Sequence, residues 1–307
     1  MASKVYDIII IGAGPAGLTS AIYARRAGKD VLILEKESIG GQIATSPKVE
    51  NYPSIMSISG TELMDNMMNQ ATELGAELDI DEVKHIEKEN GLFQLTGEYG
   101  SYVAKSVILA TGCSHRSIKA PGVEELLGNG VSYCAVCDGS FYQNQDVCLI
   151  GDANTALQYA LMLSNICHKV FVCTLFDKFF GEDILVQALL KRENVEITHN
   201  LLLKEVKGTD EVESVVFEDT KTKEIKRYWV KGLFIAIGQI PHNENFTNVV
   251  DLDQDGYIIA TDDCFTKTEG LYVAGDCRKK ALRQVATAIG DAALAATMAV
   301  KYLDQMK

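Results

Sequence analysis

The stretch "IIIIGAGPAGLTSAIYARRAG", which begins at Ile8, constrains the fold most: an apolar run, a glycine-rich turn and a helical pattern follow one another without a gap. Four consecutive isoleucines suit a parallel strand buried on both faces. Gly12-Ala13-Gly14-Pro15-Ala16-Gly17 then fits GxGxxG. The first glycine permits the tight turn, the second lets the backbone approach a pyrophosphate, and the third lets helix and strand pack closely. The helix carries Leu18, Ile22 and Ala24 inward, and its start offers free N–H groups to phosphates. Val31 to Leu34 read as the next strand. Glu35, 18 residues beyond Gly17, is placed for a ribose hydroxyl pair, and an acid there suits FAD or NAD better than NADP.

A second unit of the same design begins about 140 residues later, at "DVCLIGDANTALQYALMLSNICHKVFVCTLFD" (146–177). A chain of 307 residues exceeds what one compact core usually holds, so two domains are expected, each an α/β Rossmann-like nucleotide fold. "SVILATGCSHRSIKAPG" predicts a strand at Val107 to Ala110 followed by a Gly/Pro-punctuated crossing, and "GLFIAIGQIPHN" (232–243) repeats that pattern. The crossings place one domain at 1–113 plus 241–307, with 114–240 inserted into it. "EGLYVAGDCRKKALRQVATAIGDAALAATMAVKYL" predicts a strand, a Gly-Asp turn and a long alanine-rich helix that closes the first domain. Asp276 in that turn would reach the ribityl or phosphate region of a flavin, and Gly40-Gly41-Gln42 supplies another close-approach turn, so FAD is the expected occupant. Met64, Met67 and Met68 fit a core-facing helix.

Composition narrows the function. A net charge of −13 argues against general nucleic-acid binding, which neutralises phosphates with Lys and Arg, and against anionic membranes. The N-terminal apolar run stops at Ile11, too short for a signal peptide or a membrane span, so a cytoplasmic protein is expected. Of eight cysteines, six (Cys113, Cys148, Cys167, Cys173, Cys264, Cys277) have no close-spaced partner and read as buried thiols. Cys134 and Cys137, in "CAVCDG", stand apart. A zinc site needs four ligands; this pair gives two, and neither a second CxxC nor a paired histidine accompanies it, so no metal is expected. A static disulfide does not suit a reducing cytoplasm, whereas a CxxC thiol of lowered pKa is a good thiolate source; the pair reads as a redox dithiol.

The chain resembles a low-molecular-weight thioredoxin reductase over essentially its whole length. "GAGPAGLTSAIYARRAG", "GGQIATSPKVENYP", "ILATG", "CAVCDGSFY", "GLFIAIGQIPHN", "GYIIATDDCFT" and "VAGDCRKKALRQVATAIGDAALAA" follow that family's order. The resemblance implies the fold of the flavoprotein pyridine nucleotide-disulfide reductases, a homodimer, bound FAD, and a CxxC that exchanges electrons with thioredoxin. It implies that Cys137 lies next to the flavin, that Cys134 attacks the partner's disulfide, and that Asp138 protonates the leaving thiolate. It places Asn51, Arg283 and Gln284 at FAD; Lys36, Gly112 and Val285 complete the expected cofactor site.

One part of the family pattern is missing. Ordinary members bind NADPH in the inserted domain through a second glycine turn and arginines on the 2′-phosphate. Here the turn reads Gly151-Asp152-Ala153-Asn154-Thr155-Ala156, with a Cβ at Ala153 and a carboxylate at Asp152. Thr174-Leu175-Phe176 and Phe180 replace the cations. Charge-assisted hydrogen bonds contribute roughly 1.5–3 kcal/mol each, so losing two weakens binding by about 10² to 10⁴-fold. In this the chain resembles the ferredoxin-dependent flavin thioredoxin reductases, with Arg278, Lys279 and Lys280 as a basic run for an acidic ferredoxin to dock on. A nicotinamide-dependent reductase with an altered site, and a non-catalytic flavin redox sensor, are the competing readings.

Overall fold

The computed structural model describes residues 4–46 and 48–306. The chain divides into two compact units: unit 1 runs to Ser114 and resumes at Ile240, and unit 2 is His115–Gln239.

Unit 1 opens with β1 (Val5–Ile11), α1 (Pro15–Arg26), β2 (Val31–Glu35), α2 (Gly60–Glu73), β3 (Glu77–Ile80), β4 (Val83–Glu89), β5 (Leu92–Gly97), β6 (Ser101–Leu109) and β7 (Cys113–His115). Unit 2 contains β8 (Val131–Ser132), α3 (Ala135–Asp138), β9 (Asp146–Ile150), α4 (Asn154–Ser164), β10 (Lys169–Cys173), α5 (Asp183–Leu190), β11 (Val195–Thr198), β12 (Leu201–Lys207), β13 (Ser214–Asp219), β14 (Ile225–Trp229) and β15 (Gly232–Ile235). The chain returns through β16 (Gln239–Pro241), which pairs with β7, and ends with β17 (Leu271–Val273) and α6 (Val285–Gln305).

The sheet of unit 1 runs β3-β2-β1-β6-β5-β4, with β17 also on β6. β6 serves two architectures. Its C-terminal half pairs in parallel with β17 (Val107 with Leu271), while its N-terminal half pairs antiparallel with β5 (Ala104 with Phe93). Ile8, Ile9 and Ile10 are fully buried, as a strand covered on both faces requires. On one face, α6 packs its buried alanines Ala288, Ala292, Ala295, Ala296 and Ala299 into the core shared with α1; side chains this small let helices approach closely, and Ser20 Oγ donates to the Ala292 carbonyl. Met64 is buried in the same core, and Met67 and Met68 pack against it.

Unit 2 repeats the parallel design in the order β11-β10-β9-β15-β8 and adds the antiparallel sheet β12-β13-β14. Both nucleotide-type sheets have the expected Rossmann-like form. Among the described residues no helix is long and apolar enough to cross a membrane.

Candidate active site: a glycine cradle and a dithiol

In unit 1 the glycines of the first turn divide their work. A Cβ on Gly12 would run into the Ala110 carbonyl, and one on Gly17 into the Gly12 carbonyl; these two keep strand, turn and helix in contact. Gly14 has no such reason to be glycine. Its φ is −79°, and a Cβ there would meet nothing nearer than the Gly40 carbonyl at 3.9 Å. Gly41, at φ +61°, faces the Gly14 Cα at 3.6 Å. The two glycines thus leave open a space at the start of α1, where Pro15 is the first helical residue and Ala16 is buried against Gly275. That is the space a pyrophosphate needs.

The other expected cofactor residues surround this turn or the start of α6. Glu35 is buried at the end of β2; its Oε2 accepts from the Ala13 amide at 2.7 Å and its Oε1 from the Glu37 amide at 3.1 Å. Lys36 is exposed, 3.9 Å from Glu37. The Gln42 side-chain amide donates to the Cys113 carbonyl, and Gly112 sits at φ +67° with open space over it. Asn51 Nδ2 donates to Gln284 Oε1 at 3.0 Å. Gln284 caps α6, of which Val285 is the first residue. Arg283 lies 3.8 Å over the Tyr257 ring and donates to the Asp276 carbonyl.

Asp276 carries the clearest sign of a ligand. Its Oδ1 is buried without a hydrogen-bond partner, with Lys280 Nζ 3.9 Å away, and burial lifts its carboxyl above the ordinary carboxylate range, opposed by Lys280 and Arg283. A buried acceptor without a hydrogen bond costs about 1–3 kcal/mol, which a hydroxyl donor from a flavin's ribityl chain or ribose would relieve. The open glycine turn and this acceptor fit FAD.

The basic run at 278–280 requires a correction. Arg278 is buried, with its guanidinium on Asp291 Oδ1 at 3.3 Å, the Thr261 carbonyl at 2.9 Å and Cys264 Sγ at 3.2 Å. Lys280 reaches Asp291 Oδ2 at 2.7 Å with its side chain 11% exposed. Both cations are used to hold the turn after β17 against α6, and of the three only Lys279 is exposed. Cys277 is a buried filler whose thiol points at the Leu109 and Ala274 carbonyls.

In unit 2, Cys134 and Cys137 form a disulfide at the two ends of the first turn of α3. Cys134 is the N-cap, and its sulfur accepts from the Cys137 amide at 3.1 Å. Asp138 follows, with Oδ2 held by Ser132 Oγ at 2.6 Å and Oδ1 buried without a hydrogen-bond partner. Burial raises its carboxyl above the usual range and the Ser132 bond draws it part of the way back. A carboxyl that keeps its proton to higher pH, beside a disulfide, is equipped to protonate a thiolate. Ser132 was not among the expected site residues; its position two residues before Cys134 was the available signal.

The second glycine turn, also in unit 2, is bonded to a loop of its own unit. Gly151 keeps the tight turn, since a Cβ there would run into the Ala236 carbonyl. Over the start of α4, however, Phe180 N donates to the Asp152 carbonyl at 2.7 Å, Glu182 N donates to Asn154 Oδ1 at 2.7 Å, and Asn154 Nδ2 donates back to Glu182 Oε1 at 3.1 Å. The loop at 180–182 and the Glu182 carboxylate are therefore bonded to the residues that open α4. Leu175, Phe176 and Phe180 are exposed. The cation of the intervening loop, Lys178, stacks 5.5 Å over Phe180.

The chain matches known proteins over nearly its whole length. The model of the pyridine nucleotide-disulphide oxidoreductases matches residues 6–292. A thioredoxin reductase of Peptoclostridium acidaminophilum is 39% identical over 98% of both chains, and a "34.2 kDa protein in rubredoxin operon" of Clostridium pasteurianum is 37% identical over 98% of both. The crystal structure of thioredoxin reductase from Streptococcus pyogenes superposes with a TM-score of 0.95 at 35% identity, covering 99% of this chain and 100% of that one. With a glycine cradle that fits FAD in one unit and a CxxC disulfide in the other, the chain belongs to the low-molecular-weight thioredoxin reductases, FAD-binding flavoproteins among the pyridine nucleotide-disulphide oxidoreductases.

Proposed function

We propose that this thioredoxin reductase takes its electrons from reduced ferredoxin, or a similar low-potential carrier, and passes them to thioredoxin through FAD and the Cys134–Cys137 pair. The observation that carries this reading is the clasped second turn: Glu182 and the Phe180 amide cover the start of α4, and apolar side chains take the place of phosphate-binding cations. A nicotinamide has no evident berth there. The Clostridium pasteurianum relative, by its description, belongs to an operon of a small electron carrier, which supports a protein donor.

In this reading Gly12, Gly14, Pro15, Ala16, Gly17, Glu35, Lys36, Gly41, Gln42, Asn51, Gly112, Asp276, Arg283, Gln284 and Val285 hold FAD. When bound, FAD supplies a centre that accepts electrons singly and delivers them in pairs. Cys137 faces it, Cys134 attacks the thioredoxin disulfide, and Asp138 gives the proton to the departing thiolate. A ferredoxin near −400 mV driving a thioredoxin near −270 mV releases about 6 kcal/mol per electron pair, so the reaction runs downhill. The enzyme acts as a cytoplasmic homodimer, as the resemblance implies. With Arg278 and Lys280 committed to Asp291, ferredoxin docking draws on Lys279 and on shape more than on a basic patch.

The test is an anaerobic titration of the flavin spectrum with NADPH, NADH and reduced ferredoxin in turn, followed by oxidised thioredoxin. Rapid bleaching by ferredoxin alone, reversed by thioredoxin, is expected. Rapid, saturable bleaching by a nicotinamide overturns the assignment. Gly151 keeps the nucleotide-turn geometry, so a nicotinamide-dependent reductase is the second reading, and the same titration decides between them.

A further inference from the structure

Ser132 ends β8, and its single hydroxyl bonds on both sides of the dithiol turn. It accepts from the Cys134 amide at 3.0 Å and donates to Asp138 Oδ2 at 2.6 Å. The Cys134 carbonyl lies 3.4 Å away as an alternative acceptor. The other oxygen of the carboxyl, Oδ1, is buried and has no hydrogen-bond partner. The carboxyl is therefore asymmetric, with one oxygen tethered and one not.

We propose that Ser132 is a positioning residue for dithiol chemistry: by tying Asp138 Oδ2 to the backbone of Cys134, it fixes the carboxyl beside the sulfurs and leaves Oδ1 as the oxygen that carries the proton and gives it up. The inference rests on the reading of Asp138 as the acid. In the exchange, the Cys134 thiolate forms a bond to one sulfur of the thioredoxin disulfide and breaks it, so the second thioredoxin sulfur leaves with the bonding pair. The proton on Asp138 Oδ1 passes to that thiolate, and Asp138 becomes a carboxylate stabilised by the Ser132 donor. The Cys137 thiolate then displaces the remaining thioredoxin sulfur from Cys134. The Cys134–Cys137 disulfide re-forms, and thioredoxin has gained two electrons and, with a second proton from water, two thiols.

Few other groups compete for control of this carboxyl. The turn at 139–142 and α4 pack against α3, and β8 reaches it through Ser132. The turn brings Tyr142, whose phenol burial holds up to about 12, with the Asp138 charge adding to the effect, so it stays neutral across the working range. α4 carries no Asp, Glu, Lys or Arg, burial raises its one phenol, Tyr159, so that it stays neutral, and β8 carries no titratable group. Among the described residues, the hydrogen bond to the Asp138 carboxyl comes from Ser132. Because it donates to the ionised form, removing it raises the pH at which Asp138 gives up its proton.

The experiment uses holoenzyme reduced with stoichiometric dithionite and mixed with oxidised thioredoxin. Single-turnover rates are read across pH by acid quench and thiol alkylation, without any physiological donor. Wild-type protein is expected to lose rate at high pH as Asp138 ionises. In Ser132→Ala that limb is expected to move up by about one to two pH units, the equivalent of a hydrogen bond to a charged group, with a lower plateau; Ser132→Thr restores the wild-type limb. Asp138→Asn abolishes the limb, and S132A/D138N matches it. An unmoved limb in S132A, or no rescue by S132T, overturns the role of Ser132 alone. A limb that survives in D138N overturns the reading of Asp138 and the Ser132 proposal with it. If the alanine variant fails to fold, the infrared band of the protonated Asp138 carboxyl in wild-type protein decides: a carbonyl shifted down by hydrogen bonding supports tethered Oδ2, and an unbonded carbonyl overturns it.

Discussion

Asn154 and Glu182 grip each other at two points: the Glu182 amide donates to Asn154 Oδ1 at 2.7 Å, and Asn154 Nδ2 donates to Glu182 Oε1 at 3.1 Å. Asn154 is the first residue of α4, and the clasp brings a carboxylate to the helix start that an anionic ligand would otherwise occupy. In the proposed reading, losing the nucleotide site thus involves more than absent arginines, because the loop at 180–182 is bonded to the helix start.

That distinction can be measured. Ala153→Gly with Leu175→Arg and Phe176→Arg rebuilds the glycine and the cations but leaves the clasp closed, and calorimetric titration with NADPH is expected to show little gain. Adding Glu182→Ala is expected to tighten binding on the order of tenfold, since removing one like charge near a phosphate is worth roughly 1.4 kcal/mol at an exposed site. Equal affinity with and without Glu182 would show that the clasp does not guard the site.

The first turn gives a second test, because its glycines answer to different partners. Gly17→Ala drives a Cβ into the Gly12 carbonyl, and loss of folded protein is expected. Gly14→Ala makes only an ordinary contact with the Gly40 carbonyl at 3.9 Å, so the protein is expected to fold, with a near-wild-type circular dichroism melt, yet to purify with little FAD. Full flavin occupancy in G14A would remove the pyrophosphate from this position.

These turns were legible in the sequence because a buried parallel strand, a glycine turn and a helix leave a continuous apolar run followed by fixed spacing. The antiparallel sheets were not. In β4 the register shifts between Val83 and His85, and in β12 between Leu203 and Glu205; each bulge interrupts the alternation by which a half-buried strand is recognised. The clasp was hidden for another reason. Asn154 and Glu182 are 28 residues apart, and neither residue type announces a partner. For Arg278 and Lys280 the sequence pointed the wrong way: charge adjacent in the chain read as a surface run, while the fold turned both side chains onto Asp291 of α6.

Arg278 accordingly belongs to stability. Its side chain is 9% exposed and paired with Asp291, and breaking a buried pair from one side costs about 3–5 kcal/mol. Arg278→Ala is expected to lower the denaturation midpoint by a corresponding amount, and Lys279→Ala to leave it unchanged. Comparable urea midpoints for the two variants would contradict the burial.

The dithiol can be separated from the flavin by one atom. Cys134→Ser retains Cys137 but removes the sulfur proposed to attack thioredoxin, so thioredoxin reduction is expected to fall to background while reduced ferredoxin still bleaches the flavin. A Cys137→Ser variant, which keeps Cys134, is expected to trap a mixed disulfide with thioredoxin, visible by non-reducing electrophoresis. A trapped adduct through Cys137 in C134S would reverse the two assignments.

Asp276 links the cofactor site to pH. Burial raises its carboxyl in the folded protein above the ordinary value, about 3.9 in an unfolded chain. Below that value the group is protonated in both states and its burial carries no charge penalty. As pH rises through the folded value the buried charge appears, and the stability of the flavin-free protein falls. Asp276→Asn removes this term. The flavin-free variant is expected to melt above wild type near neutral pH, with the advantage shrinking towards pH 4. FAD affinity is expected to move the other way, because a charged acceptor for a flavin hydroxyl becomes the weaker acceptor of a neutral amide. Melting curves from pH 4 to 8, with and without FAD, read both effects. A melting difference that does not change with pH would mean that the carboxyl does not titrate in that window, and unchanged FAD affinity would mean that its charge does not hold a flavin hydroxyl.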